Sequence, residues 1–256
     1  MRALTAFTRK EILDLIRSGR LAILGMIFAA LGVMNPLVAK LTPLIIEMLS
    51  DSLAESGIII TDLSVSAMDS WVQFFKNIPI GLIAFVLIES SIFTKEYATG
   101  TVVMSLTKGL RRSHVVISKT LVLALLWSLC YWLSFLITYA YNAYFWDNSV
   151  AQNLMFSVFC SWLFGIWTLF TAVFFSVVSR ANVGVLCGTG GAVLTSYLVS
   201  MIPKLSKYMP TELFDGSSLI YGAEQPGDYI LAIAIAVMTC AMSFFVSILL
   251  FNKKQL

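Results

Sequence analysis

The stretch FTKEYATGTVVMSLTKGLRRSHVVISK, Phe93 to Lys119, is a polar island between two long apolar runs. It carries Lys95, Glu96, Lys108, Arg111, Arg112 and Lys119, and Gly100 and Gly109 punctuate it. So short a polar segment between bilayer-length apolar runs reads as a turn at a membrane surface. Whether that is right depends on what lies on either side.

What lies on either side is mostly apolar. Of 256 residues, 59% are hydrophobic and 12% charged, with a mean hydropathy of +0.87. A soluble domain usually carries about 25% charged residues. Runs close to the roughly 20 apolar residues that cross a bilayer occur six times. They are Leu21–Ala39, Asn77–Phe93, Val115–Tyr141, Gln152–Val178, Val183–Ile202 and Tyr229–Phe251. Backbone polar groups cannot stay unpaired in lipid, so each run is read as a helix. Strand-like alternation is absent, which argues against a barrel. The expected fold is all-α: one polytopic transmembrane domain over residues 1–256, with six transmembrane helices. The first twenty residues are charged throughout and hold no apolar core, so the first span is expected to be retained rather than cleaved.

Charge placement sets the expected orientation. All basic residues except Lys40, Lys76, Lys204 and Lys207 fall on one side of this layout. Most acids, from Glu47, Asp51 and Asp69 to Glu224 and Asp228, fall on the other. Basic loops stay inside, so both termini are expected in the cytoplasm of a multi-pass cell-membrane protein, with a bacterial plasma membrane as the setting.

Residues 1–20 place Arg2, Arg9, Lys10, Arg17 and Arg20 on one arc of a helical wheel. Leu4, Phe7, Ile12, Leu15 and Ile16 occupy the other, with Glu11 intruding. This is the pattern of an amphipathic interfacial helix lying on the lipid bilayer, or of a simple topogenic charge cluster. The long acidic loop from Lys40 to Lys76 includes IIEMLSDSLAES, which suits a short surface helix. The loop before the last span is rich in Pro, Gly and Asp, with a short, partly buried element expected around Thr211–Tyr221. Either loop gates an exit or only connects helices. Tyr139, Tyr141, Tyr144, Phe145 and Trp146 form an interfacial aromatic belt. Gly184 and Gly188 make a GxxxG spacing, a packing or dimer seam within the subunit or between two copies.

Catalytic chemistry finds no foothold. The single histidine, His114, stands beside Arg111 and Arg112, and no nucleophile or metal set can be assembled. Cys130, Cys160, Cys187 and Cys240 all lie inside spans and read as small packing residues. There is no GxxxxGK[ST] phosphate loop, so uphill transport would need a partner or an ion gradient. Nothing suggests nucleic-acid binding. Glu89 is the one acid within the spans, and its expected partner is Lys119 or Arg180, or water at a frayed helix end.

The polar island itself reads as a hairpin with an apolar ridge, Val102, Val103 and Leu106, rimmed by positive charge. Such a ridge suits a partner surface, and such a rim suits anionic lipid. At Glu96, Gly100, Thr101, Arg111 or Arg112, and Lys119 the sequence resembles the type-2 permeases of ATP-binding-cassette (ABC) transporters. The likeness extends to the six-helix layout, the basic surface helix and the Pro-containing loop before the last span. Many family members have Pro in the turn where Gly109 stands here.

That resemblance implies that residues 94–114 form a cytoplasmic coupling helix seated in a separate ABC ATPase. Thr101 to Thr107 would touch the ATPase, and Arg111 and Arg112 would anchor the turn to an acidic protein or lipid surface. It further implies two ATPase copies and a second permease, identical or related, meeting through the first and fifth helices. The exported cargo would suit an amphipathic peptide, antibiotic or lipid. No cofactor is expected on this chain; ATP and Mg would be held by the ATPase. An ion- or proton-coupled transporter working alone is the competing class. It is disfavoured by the single intramembrane acid and the lack of inverted repeats with broken helices.

Overall fold

A computed structural model describes residues 2–48, 65–107 and 109–254. Among these there are only helices and turns, and six helices are long and apolar enough to cross a membrane. In chain order the helices are α1 (Arg2–Arg17), α2 (Arg20–Met48), α3 (Ala67–Glu89), α4 (Ser91–Thr99) and α5 (Thr101–Thr107). They continue with α6 (Arg112–Phe145), α7 (Leu154–Val178), α8 (Asn182–Ser200), α9 (Ser217–Ile220) and α10 (Ile230–Lys253). Most of the acidic loop, with Asp51, Glu55 and Asp62, lies outside the described residues, as does Lys108.

Two spans run further than their apolar stretches. α2 continues past Ala39 to Met48 despite Pro36 and Pro43. Pro36 has no N–H for the carbonyl of Gly32, four residues back. The Thr138 hydroxyl on α6 lies 3.0 Å from that carbonyl and shares its proton between it and the Ser134 carbonyl. α3 begins at Ala67, ten residues before Asn77. Asp69, Ser70, Gln73 and Lys76 interrupt its apolar run, yet Trp71, Phe74 and Phe75 between them are buried. Ser66 and Asp69 start the helix with a capping box that satisfies two otherwise unpaired N–H groups.

α7 is the most enclosed span, while α8 and α10 are peripheral. Its seam with α6 is set by Gly165, where a Cβ would fall 2.1 Å from the Trp127 ring. The indole of Trp127 donates to the Trp162 carbonyl at 3.2 Å, and Tyr131 donates to Val158 at 2.7 Å. Both aromatic polar tips are thereby satisfied inside the bundle.

At the end away from the hairpin, amides join three helices. Gln73 donates to Asn77 (3.2 Å), Asn77 to Asn35 (2.7 Å) and Asn35 to Thr138 (2.9 Å). With the bond from Thr138 to Gly32, this ladder joins α3, α2 and α6. The Pro-containing loop before the last span folds back onto this end. Its element at Pro210–Leu213 and α9 bury Leu213, Leu219 and Ile220 completely.

A buried charge ring at the foot of the hairpin

The hairpin forms because two glycines take left-handed backbone. Gly100 (φ +67°) ends α4, and Gly109 (φ +87°) follows α5, a conformation that costs other residues steric strain. Thr101 opens α5 and is exposed, and Met104 is 62% exposed. Leu106, expected on an outward ridge, is half-buried against the core. The side chains of Val102 and Val103 lie outside those described.

Beneath the hairpin, four charged groups close a ring. Lys119 is 1% exposed, and its Nζ lies 2.9 Å from Glu11 Oε2 and 3.0 Å from Glu96 Oε2. It donates a third bond, 3.1 Å, to the Ile92 carbonyl. Lys10 reaches the remaining oxygens, 2.8 Å to Glu11 Oε1 and 2.7 Å to Glu96 Oε1. Each carboxylate therefore spends one oxygen on each lysine, and the four formal charges cancel. Cancellation matters because an unpaired charge at this burial is strongly unfavourable. Burial alone would raise the Glu11 carboxyl, but the Lys119 charge and the hydrogen bonds from Lys10 and Lys119 hold it below 4.5. Burial would lower Lys10, yet bonds to Glu11 and Glu96 carry it above 10.5.

A second knot holds the elbow between α1 and α2, where Gly19 has φ +74°. Arg20 donates to Glu89 at 2.8 Å and to Asp14 at 2.9 Å, and its Nε reaches Ser18 at 3.0 Å. Lys119 or Arg180 was the expected partner of Glu89; the pair formed is with Arg20. The turn at Gly19 brings the start of α2 beside the end of α3, while Lys119 is held by the ring. The other Glu89 oxygen, Oε1, is buried with no partner among the described residues.

A third knot ties the hairpin to the last span. Arg112 lies against the carbonyls of Phe251 (3.5 Å), Asn252 (3.4 Å) and Lys254 at the end of α10. A guanidinium suits the unpaired carbonyls and negative dipole of a helix end. The resemblance implies that Arg111 and Arg112 anchor the turn to an acidic protein or lipid surface; in the structure Arg112 caps a helix of its own chain. Arg111 is exposed just before α6. Lys254 donates to Val177 at the end of α7 at 2.6 Å and sits 4.2 Å above the Tyr97 ring.

The glycine seam of α8 faces inward. A Cβ at Gly188 would meet the Phe175 ring at 2.3 Å, and one at Gly184 would meet Ser179 Oγ at 2.2 Å. Of the two options for this GxxxG spacing, these contacts are packing within the subunit.

Sequence reasoning paired Glu96 with Lys119 only as members of one motif, and the fold brings them to 3.0 Å. It missed Lys10, Glu11 and Arg20 as partners of the hairpin. Glu11 carried a signal, since an acid on the apolar arc of a helix needs a buried cation. The wheel also merged two faces. Phe7, Glu11 and Leu15 are buried, whereas Ile12, Leu13 and Ile16 are exposed.

Together these features define a polytopic helical membrane protein whose polar hairpin is braced from three directions. The sequence profile described as ABC-2 family transporter protein matches residues 5–256. The chain belongs to that family, whose members are membrane transport subunits that associate with an ABC ATPase. It is also 25% identical, over 83% of both chains, to the uncharacterized transmembrane protein YxlG of Bacillus subtilis (strain 168).

Proposed function

We propose that the chain is the permease of an ABC exporter, with α5 as its coupling helix and both termini in the cytoplasm. The observation that carries this reading is the charge ring. It joins the base of the hairpin (Glu96) to α1 (Lys10, Glu11) and to the third span (Lys119). A push on α5 from a closing ATPase would therefore move α1 and α6 together rather than bend a loop. α1 would lie at the inner surface, its exposed Ile12, Leu13 and Ile16 entering the acyl layer beside Arg9.

Two permeases, identical or related, would pair over two ATPases. The exposed apolar faces of α2 and α8, including Met26, Leu37, Leu194 and Tyr197, support pairing there. An apolar groove of about 470 Å³ between α3, α7 and α8, lined by Leu82, Val86, Phe164 and Val193, suits an amphipathic or hydrophobic cargo.

The test is capture from native membranes. The chain should bring down a protein carrying a GxxxxGK[ST] loop. Thr101→Arg and Met104→Glu, on the exposed side of α5, should abolish capture while the chain stays folded. Undiminished capture by both variants would remove α5 from the interface, and absence of any such ATPase would remove the assignment.

A further inference from the structure

At the end of the bundle away from the hairpin, α2 and α3 enclose a cleft of about 200 Å³. Val38, Ala39 and Val72 form its apolar walls, and Thr42, Asp69, Gln73 and Lys76 supply the polar groups. Pockets for drug-sized ligands run roughly 300–1,000 Å³, so this one has room for a headgroup and not for a whole amphiphile.

The order of charge along α3 selects the chemistry. Seven residues are close to two helical turns, so Asp69 and Lys76 share a face about 10 Å apart along the axis. Side chains tilt toward the helix N-terminus, which leans the Lys76 stem toward Asp69. Asp69 spends Oδ2 on the Ser66 N–H at 2.9 Å, leaving Oδ1. Gln73, one turn away, donates its amide nitrogen to Asn77 and keeps its amide oxygen as an acceptor. Thr42 donates its hydroxyl proton to the Val38 carbonyl at 2.8 Å, which leaves its oxygen lone pairs to accept. Acceptor atoms thus line the upper cleft, and among its described lining residues Lys76 is the one cation, at its base.

Depth fixes which end is which. The span from Ala67 to Tyr97 has 31 residues. At 1.5 Å each it is about 46 Å long, against a hydrocarbon core of about 30 Å. Centred in the bilayer, it leaves Asp69 about 20 Å from the midplane, in the headgroup layer. Lys76 lies about 9 Å from the midplane, roughly 6 Å inside the apolar boundary, from where its stem must snorkel outward toward the phosphates. A zwitterionic phospholipid has the complementary order, ammonium outermost and phosphate beneath.

We propose that this cleft binds the headgroup of a phosphatidylethanolamine-type lipid. The ammonium donates to Asp69, Gln73 and Thr42, Lys76 holds the phosphate, and an acyl chain follows Val38 and Val72. Charge order is the same in either leaflet. The site therefore depends on α2 and α3 crossing a bilayer, not on the exporter assignment or the orientation of the chain.

Native mass spectrometry of the full chain in mild detergent, titrated with dioleoyl phosphatidylethanolamine or dioleoyl phosphatidylglycerol, tests the site. The ethanolamine lipid should be retained preferentially as a single adduct. Lys76→Gln should weaken it roughly tenfold, the usual scale for losing a charged hydrogen bond. Asp69→Asn should abolish the preference over phosphatidylglycerol. Because Asp69 also caps α3, Lys76→Gln decides the matter if that variant fails to fold. Equal retention of the two lipids by the unaltered chain, or unchanged affinity in Lys76→Gln, overturns the site.

Discussion

The hairpin end and the far end of the bundle solve one problem with different chemistry. Each must join helices in surroundings where an unpaired polar group is costly. At the hairpin, four full charges close on themselves around Lys119. At the far end, neutral amides pass hydrogen bonds from Gln73 through Asn77 and Asn35 to Thr138. A charge ring is stiff while complete and fails when its buried hub goes. An amide ladder loses one rung at a time, with helix packing still holding the rest. The brittle joint lies at the hairpin, where force would enter, and the tolerant one lies where the helices only need to stay together.

Removing the hub of the ring should have the largest effect. Lys119→Met leaves buried Glu11 and partly buried Glu96 with only half-exposed Lys10 between them, and a broken buried pair costs about 3–5 kcal/mol. Thermal unfolding in detergent should drop accordingly, and proteolysis within residues 93–111 should speed up. If Lys119→Met unfolds no earlier than the parent, the ring is not a brace.

Between the two ends, Gly165→Ala tests whether the seam they share is closed. The new methyl would overlap the Trp127 ring, and overpacking of this kind costs about 1–3 kcal/mol. Trp127 fluorescence should shift as the ring is displaced.

The far end should yield less. Asn35→Leu removes two rungs, and intramembrane hydrogen bonds average about 0.6 kcal/mol each. A loss near 1 kcal/mol with normal ATPase capture is expected. A loss as large as that of Lys119→Met would erase the contrast between the ends.

Lys10→Met should cost least, under about 1 kcal/mol, because this lysine is 49% exposed and solvent screens it. Acid sharpens the comparison further. Glu11 titrates below 4.5 in the folded chain, so its contribution is complete above that value and fades as pH falls through the lower folded one. Lys10 works in the opposite sense, its contribution fading only in strong alkali above 10.5. Spin labels on α1 and α5 should therefore separate only as pH falls through that lowered folded value, while labels at the far ends of α2 and α3 stay put. The ladder has no titrating member.

The number of spans and the turn at Gly100 and Gly109 were legible because each rests on local chemistry. Apolar length and left-handed backbone need no knowledge of distant residues. The start of α3 was not legible that way, because Asp69, Ser70, Gln73 and Lys76 look like loop until Trp71, Phe74 and Phe75 are seen to be buried. Some of the site was visible, since Glu96 and Lys119 stood in one motif. Its closure was hidden because Glu11 and Lys119 lie 108 residues apart.

By itself the sequence determined that six helices cross a membrane and that a charged hairpin links the second to the third. Hydrophobic length and glycine geometry act over a few residues and are written in order. Only the tertiary structure decided that Glu89 meets Arg20, that Arg112 caps α10, and that Glu11 completes a neutral ring. Ion pairs depend on which groups are left unpaired once helices pack, and packing is a property of surfaces brought together rather than of neighbours along the chain.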